Sequence, residues 1–309
     1  MSEETVTPPT PAPARRAKCW AIAAGALVVL GAAAWYFGVV RPPRQLAAQR
    51  IANARKIADL KLDLVWIAPG EFLMGSPERK NSKDNEWPMT RVKLTQPFWL
   101  GRTEVTQAQW TAVMGGNPSE SIYKQEGMGM QPVAASRQNI APSIGDNLPV
   151  QNVTWDDAMA FCQKLTERER TAGRLPADHA FILPTEAQWE YACRAGTTSD
   201  YAGDLAAVGW YAENSEGTTH AVGTKQANAW GFFDMGGNVW EWCRDWYGDY
   251  PGGSVTDPMG PTSGSLRVFR GSSWRNHAED YRRSTVRNQN EPGHHGDYLG
   301  FRVALAPVK

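Results

Sequence analysis

Residues 234–246 read DMGGNVWEWCRDW and set three carboxylates, Asp234, Glu241 and Asp245, among three tryptophans, two glycines and an asparagine. Tryptophan is mostly buried, and carboxylates are almost never fully buried unless paired, so this mixture is more than ordinary core. Asp234 precedes two turn-forming glycines, and Trp240 and Trp242 then alternate with Glu241. That pattern predicts a turn feeding a short strand, with Glu241 pointing away from the tryptophans. The other groups able to do chemistry are scattered. His179, His220, His277, His294 and His295 show no metal-ligand pattern, and the pair in NEPGHHGDY reads as a surface loop. No G-x-x-x-x-G-K-[ST] loop, H-E-x-x-H or paired C-x-x-C occurs, so P-loop nucleotide hydrolysis and the common zinc sites find no support.

The elements around these residues fall into four segments. Residues 1–18 are polar and proline-rich and read as a disordered tail. Residues 19–40, CWAIAAGALVVLGAAAWYFGVV, carry no charge and are long enough to cross roughly 30 Å of hydrocarbon. Trp20 at one end and Trp35 with Tyr36 near the other suit interfacial belts. The stretch exceeds a usual signal-peptide core and ends in no A-x-A site, so it reads as a transmembrane helix. Basic residues lie on both sides of it: Arg15, Arg16 and Lys18 before, Arg41, Arg44, Arg50, Arg55 and Lys56 after. A short, easily retained tail places the N-terminus inside and the large domain outside the cytoplasm, periplasmic or at the cell surface. Residues 41–61 read as a helical stalk with Leu46, Ile51, Ile57 and Leu60 along one stripe. Residues 62–309 form the remaining domain.

Lys+Arg 32 balance Asp+Glu 32, and no long basic run follows residue 60, which excludes nucleic acid as the natural partner. Within the large domain Cys162, Cys193 and Cys243 allow either one disulfide with a free thiol or three buried thiols. DLVWIAPGEFLMGS alternates Leu64 and Trp66, turns at Pro69-Gly70 and continues with Phe72 and Met74, which predicts a β-hairpin; TRVKLTQPFWLGRTEVT predicts further strand. Thr106 with Gln109, Thr154 with Asp157 and Thr185 with Gln188 predict three capped helix starts. After Gly196 no long helix is expected. Gly, Asn, Asp and Pro recur every few residues, which implies loops on short strands, the usual location of binding sites.

Seven stretches in order, WIAPGEFLMGS, TEVTQAQW, PVQNVTWDDAMAFC, LPTEAQWEYACRAGT, NAWGFFDMGGNVWEWCRDW, RVFRGSSW and LGFRVAL, resemble the sulfatase-modifying factor family, whose type members are formylglycine-generating enzymes. The resemblance covers roughly residues 62–306. It implies an α+β, C-type-lectin-like fold with little regular secondary structure. It implies structural calcium in the N-x-x-G-N-x-W-E-W segment, held by the side chains of Asp234 and Glu241 and the backbone carbonyls of Gly237 and Val239, with Asp234 standing where the family has asparagine. Oxygen donors of this kind suit calcium. Formylglycine-generating enzymes oxidise a substrate cysteine with O2 at two copper(I)-binding cysteines. By position these fall on Asn276 and Tyr281, neither of which is a thiolate, so copper is not expected. Ser273 and Trp240 match residues lining the family's pocket. Cys162 and Cys193 match family cysteines, but Val303 occupies an expected partner position.

The resulting expectation is a membrane-anchored binding or accessory module. Its loops between RGSSW and LGFR would hold an extracytoplasmic peptide, protein or small ligand through Ser273, Asn276, His277, Tyr281, Arg287, Asn290 and Tyr298. The alternative is a formylglycine-generating oxidase or a related oxidative maturation enzyme.

Overall fold

Thr106, Thr154 and Thr185 each close a capping box. Thr106 Oγ1 accepts from Gln109 N at 3.2 Å while Thr106 N donates to Gln109 Oε1 at 2.9 Å, and Asp157 and Gln188 answer the other two threonines in the same way. Each box satisfies two backbone donors that a helix start leaves without partners. The helices that follow are α2 (Gln107–Met114), α3 (Trp155–Thr171) and α4 (Glu186–Arg194); α1 (Pro43–Ala52) precedes them and a single turn, α5 (Leu205–Val208), follows. This computed structural model describes residues 43–78, 82–120, 143–201, 204–277 and 283–308. Gln49–Lys309 form one compact unit, and the described residues before it, 43–48, belong to another. The tail over 1–18 and the apolar span over 19–40 lie outside the described residues, among which no helix is long and apolar enough to cross a membrane.

Twelve short strands among the described residues build three sheets. The first has five strands in the order β1 (Arg55–Ile57), β2 (Leu62–Ile67), β5 (Phe98–Gly101), β12 (Ala304–Pro307), β6 (His179–Ile182). The second runs β10 (Arg287–Asn290), β9 (Arg267–Arg270), β7 (Trp240–Trp246), β11 (Leu299–Gly300). The third is β3 (Gly70–Met74), β4 (Thr90–Leu94), β8 (Ser254–Thr256).

Two sequence expectations are corrected here. β2 and β3 are not a hairpin: β2 pairs with β1 and β5, whereas β3 pairs with β4, so the Pro69-Gly70 turn passes the chain from one sheet to another. Among the described residues of the 41–61 stalk, Pro43–Ala52 is α-helical and Ala58–Leu60 forms one 3-10 turn, while Arg55–Ile57 pairs with Leu62–Leu64, so the sheet starts before residue 62.

Apolar side chains gather in two clusters. One surrounds α3, with Phe161 and Leu165 against Trp240, Trp242, Phe269 and Phe301; the other surrounds α4, with Trp189 and Ala192 near Phe98, Phe232 and Cys243. β7 contributes to both, because successive side chains of a strand leave on opposite faces. Cys162, Cys193 and Cys243 are three separate buried thiols. Burial raises Cys193 to about 11 and pushes the other two further up, so all three stay protonated and unreactive.

Candidate functional site

The turn that opens β7 is built by close backbone approach. Gly237 lies at φ +138, and a Cβ there would stand 2.1 Å from the Trp210 carbonyl oxygen. That carbonyl accepts from Asn238 N at 2.8 Å, so only glycine lets the two loops meet. The turn aims Trp240 and Trp242 into the α3 cluster and Glu241 to the other face, as the alternation predicts.

Glu241 meets an arginine there. Arg302 donates from Nε to Oε2 and from Nη2 to Oε1, both at 2.6 Å, and Trp189 Nε1 donates to Oε2 at 2.8 Å. Arg302 also donates to the carbonyls of Gly101 and Phe233 at 3.0 and 3.1 Å. Both carboxylate oxygens of Glu241 are thus committed to an ion pair, although the resemblance makes this residue a calcium ligand.

Two further carboxylates sit with this pair. Asp234, in the left-handed region at φ 57, accepts from Gly223 N at 2.7 Å through Oδ2. Its Oδ1 and both oxygens of Glu104 are buried with no hydrogen-bond partner. Burial raises Asp234 to about 6 against the pull of Gly223 N and Arg302, and burial with the charges of Asp234 and Glu241 raises Glu104 well above the usual carboxylate range. Three acids facing one guanidinium require a proton or a cation. Among the described residues, no group of three or more His, Cys, Asp or Glu side chains is arranged to hold a metal ion. A cation here would therefore rest on two side chains and on backbone carbonyls. Sequence reasoning missed Glu104, Arg302 and Trp189; the available signal was the lone charge of Arg302 inside the apolar run GFRVAL.

The other half of the site is the loop after β9. Asn276 Oδ1 accepts three bonds: from Trp240 Nε1 at 2.8 Å, from Ser273 Oγ at 2.7 Å and from Ser273 N at 3.1 Å. Its backbone is tied as well, N donating to Ser273 O and O accepting from Ala212 N. An amide oxygen can hold this knot because it offers two lone pairs and no charge to desolvate. The parallel pairing of β11 with β7 brings Tyr298 alongside, its carbonyl accepting from Trp240 N at 2.8 Å. Arg275 packs over the Tyr298 ring at 5.1 Å and donates to Asp297 Oδ1 at 2.8 Å. His277 is exposed and paired with Glu213 at 2.8 Å; His294 pairs with the Tyr298 hydroxyl and His295 with Asn152, each at 2.7 Å.

Of the expected binding residues, the fold brings half-buried Asn276 and Tyr298 beside Trp240 with exposed His277 at the edge, whereas Ser273 is corrected: it is fully buried, its hydroxyl donating to Asn276. Tyr281 lies outside the described residues. Arg287 is corrected. It is 2 % exposed and bonded to both oxygens of Glu186 at 2.8 and 2.7 Å, so it is a structural arginine inside β10. Asn290, at the end of that strand, uses its side chain to accept from Glu291 N.

A family model described as the sulfatase-modifying factor enzyme 1-like domain matches residues 52–307. The chain is 30% identical to a formylglycine-generating enzyme of Streptomyces coelicolor over 78% of this chain and 88% of that one. It is 32% identical to the serine/threonine-protein kinase pkn1 of Chlamydia caviae over 78% of this chain, yet spans only 38% of that protein's length. Among solved structures, a Treponema denticola variable protein superposes with a TM-score of 0.66 at 32% identity, covering 82% of this chain and 99% of its own. PvdO from Pseudomonas aeruginosa shares the fold, with a TM-score of 0.65 at 24% identity. The mixed helix-and-sheet architecture, the ordered motifs and these similarities agree: the chain belongs to the sulfatase-modifying factor family, its family domain spanning residues 52–307.

Proposed function

We propose that this protein is a binding or accessory module, anchored in a membrane by residues 19–40, whose large domain lies outside the cytoplasm and holds a peptide or other ligand at the loops around Asn276, His277 and Tyr298. The observation that carries the reading is the Asn276 knot. At the position matching the family's first copper-binding cysteine stands a carboxamide whose oxygen already accepts from Trp240 and Ser273. A copper(I) site needs soft thiolates, and the three cysteines among the described residues are buried and apart. What is left around the knot is a partly exposed set of aromatic and polar groups, suited to recognition. Panning a displayed random peptide library against the full-length chain tests this. Binders that weaken on Tyr298→Ala and His277→Ala support the reading; binders indifferent to both, or none, count against it. The competing reading, a formylglycine-generating oxidase, is favoured by the similarity to the Streptomyces coelicolor enzyme over most of both chains.

A structural calcium ion belongs to the same proposal. The partnerless buried oxygens of Asp234 and Glu104 fit a hard cation, joined by the carbonyls of Gly237 and Val239, while Glu241 stays with Arg302. Bound calcium would brace the turn beneath Trp240. Without it the cluster keeps protons. Because Asp234 is raised in the folded state, its contribution is fully present below the unfolded carboxylate range and is lost as pH rises through about 6. Above that pH, calcium should raise the melting temperature, and Glu104→Gln with Asp234→Asn should remove the shift. A melting temperature indifferent to calcium and to chelator would show that protons alone balance the cluster.

A further inference from the structure

The last turn of α1 and the loops beside it carry a set of stacked cations that the site around Asn276 does not use. Arg50 lies 4.0 Å over the Trp230 ring, Arg55 4.6 Å over the Trp99 ring and Arg102 5.3 Å over the Phe233 ring. The three stacks belong to one chain of contacts. Trp99 Nε1 donates to Asn53 O at 2.7 Å, Asn53 N donates to Gln49 O at 2.9 Å, and Arg102 Nε donates to the carbonyl of Gly231, the neighbour of Trp230, at 3.2 Å. Lys56 is answered by Asp63 at 3.4 Å, whereas Arg50, Arg55 and Arg102 have no ion-pair partner among the described residues. Ile51, on the same turn as Arg50, is 79 % exposed, more than any other large apolar side chain described. Eight residues, 41–48, lie between this turn and the uncharged stretch 19–40, a distance of at most about 30 Å at roughly 3.6 Å per residue.

We propose that this face rests on an anionic phospholipid surface, with Arg50, Arg55 and Arg102 on headgroup phosphates and Ile51 and the Trp99 and Trp230 rings at the acyl boundary. The proposal rests on the reading of residues 19–40 as a membrane anchor, which brings a lipid surface within reach of the turn. The side chains suit that boundary. Tryptophan favours the headgroup level, and an arginine lays its stem along apolar surface while its charged head stays in water or on phosphate. Stacking on a ring engages the face of a guanidinium and leaves in-plane N–H groups for phosphate oxygens. Three guanidiniums without carboxylate partners select anionic over zwitterionic headgroups, and an apolar side chain as exposed as Ile51 gains by leaving water. The face shares no residue with the loops around Asn276 and does not depend on what those loops hold.

The test reconstitutes the full-length chain into vesicles of phosphatidylcholine alone and of phosphatidylcholine with about 30 % phosphatidylglycerol, then reads flotation and the hydroxyl-radical oxidation of side chains by mass spectrometry. Flotation with both vesicles reports the anchor. Oxidation of Ile51, Trp99 and Trp230 is expected to fall about five-fold or more in the anionic vesicles, the gain that one basic residue brings at such a surface, while Met259, 59 % exposed just after β8, stays constant. The protection should disappear in about 1 M sodium chloride, where the Debye length is about 3 Å. It should also fall about five-fold in Arg55→Gln and in Arg102→Gln. Ile51→Ser changes an exposed side chain, leaves the fold intact and should weaken the protection as well. Flotation with both vesicles and equal oxidation in them would overturn the docking proposal and leave the anchor standing. Flotation with the anionic vesicles alone would support the docking and overturn the anchor. Flotation with neither, or protection that survives all three substitutions, would overturn the proposal.

Discussion

Arg302→Ala is expected to cost about 3–5 kcal/mol of folding stability, a large fraction of the 5–15 kcal/mol typical of a domain. The guanidinium is fully buried, and its removal leaves Glu241 without its ion-pair partner beside two other buried carboxyls, Glu104 and Asp234. It also releases the Gly101 and Phe233 carbonyls, which tie β5 and the loop before β7 to the chain's last motif. Lysine should rescue only part of the loss, because a point charge cannot make the two-pronged contact with Glu241. Urea denaturation of the three proteins measures it. A loss under about 1 kcal/mol in the alanine variant would mean that the Arg302–Glu241 pair contributes no more than a surface ion pair does.

Arg270→Ala should follow closely, at about 3 kcal/mol or more. Arg270 is fully buried, ion-paired with Glu190, and donates to the carbonyls of Ser284 and Thr285 at 2.8 and 2.9 Å. Tyr250, followed by the carboxylates of Glu190 and Glu186, holds its own pKa above the usual arginine value despite burial. Glu190 keeps Arg194 and Glu186 keeps Arg287, so this cluster is better buffered against the loss than Glu241 is. The carbonyls are the larger consequence, since they fasten the chain just past the polar loop. Limited proteolysis should therefore cut near residue 284 in the variant before the rest of the domain opens. Global unfolding with no early cut would assign Arg270 to the core alone.

Both predictions concern residues whose partners sequence reasoning did not name, and the reason is distance along the chain. The three capped helices were legible because a capping box is a contact across three residues. The side to which Glu241 points was legible because strand alternation is local, but its partner stands 61 residues away. Pro69-Gly70 announced a turn correctly and a hairpin incorrectly, since the turn residues fix the local bend and not which sheet the next strand joins. Arg287 looked like one more polar loop residue because RNQN carries no apolar signal; only its pairing beside Arg270 and its contact with Glu186 reveal a buried strand. The Asn276 knot was half legible. Its residues were placed by family resemblance, whereas the three bonds that make Asn276 structural needed the fold.

The measurement that bears most directly on the proposed function is copper(I) titration of the full-length chain in competition with a chromogenic chelator, followed by incubation of the loaded protein with O2 and a cysteine-containing sulfatase-type peptide under mass analysis. The account predicts no copper retained against the chelator and a peptide of unchanged mass, because an amide engaged by Trp240 and Ser273 stands where a thiolate would be needed. Stoichiometric copper and the mass loss of an aldehyde would contradict it and make this chain an oxidase.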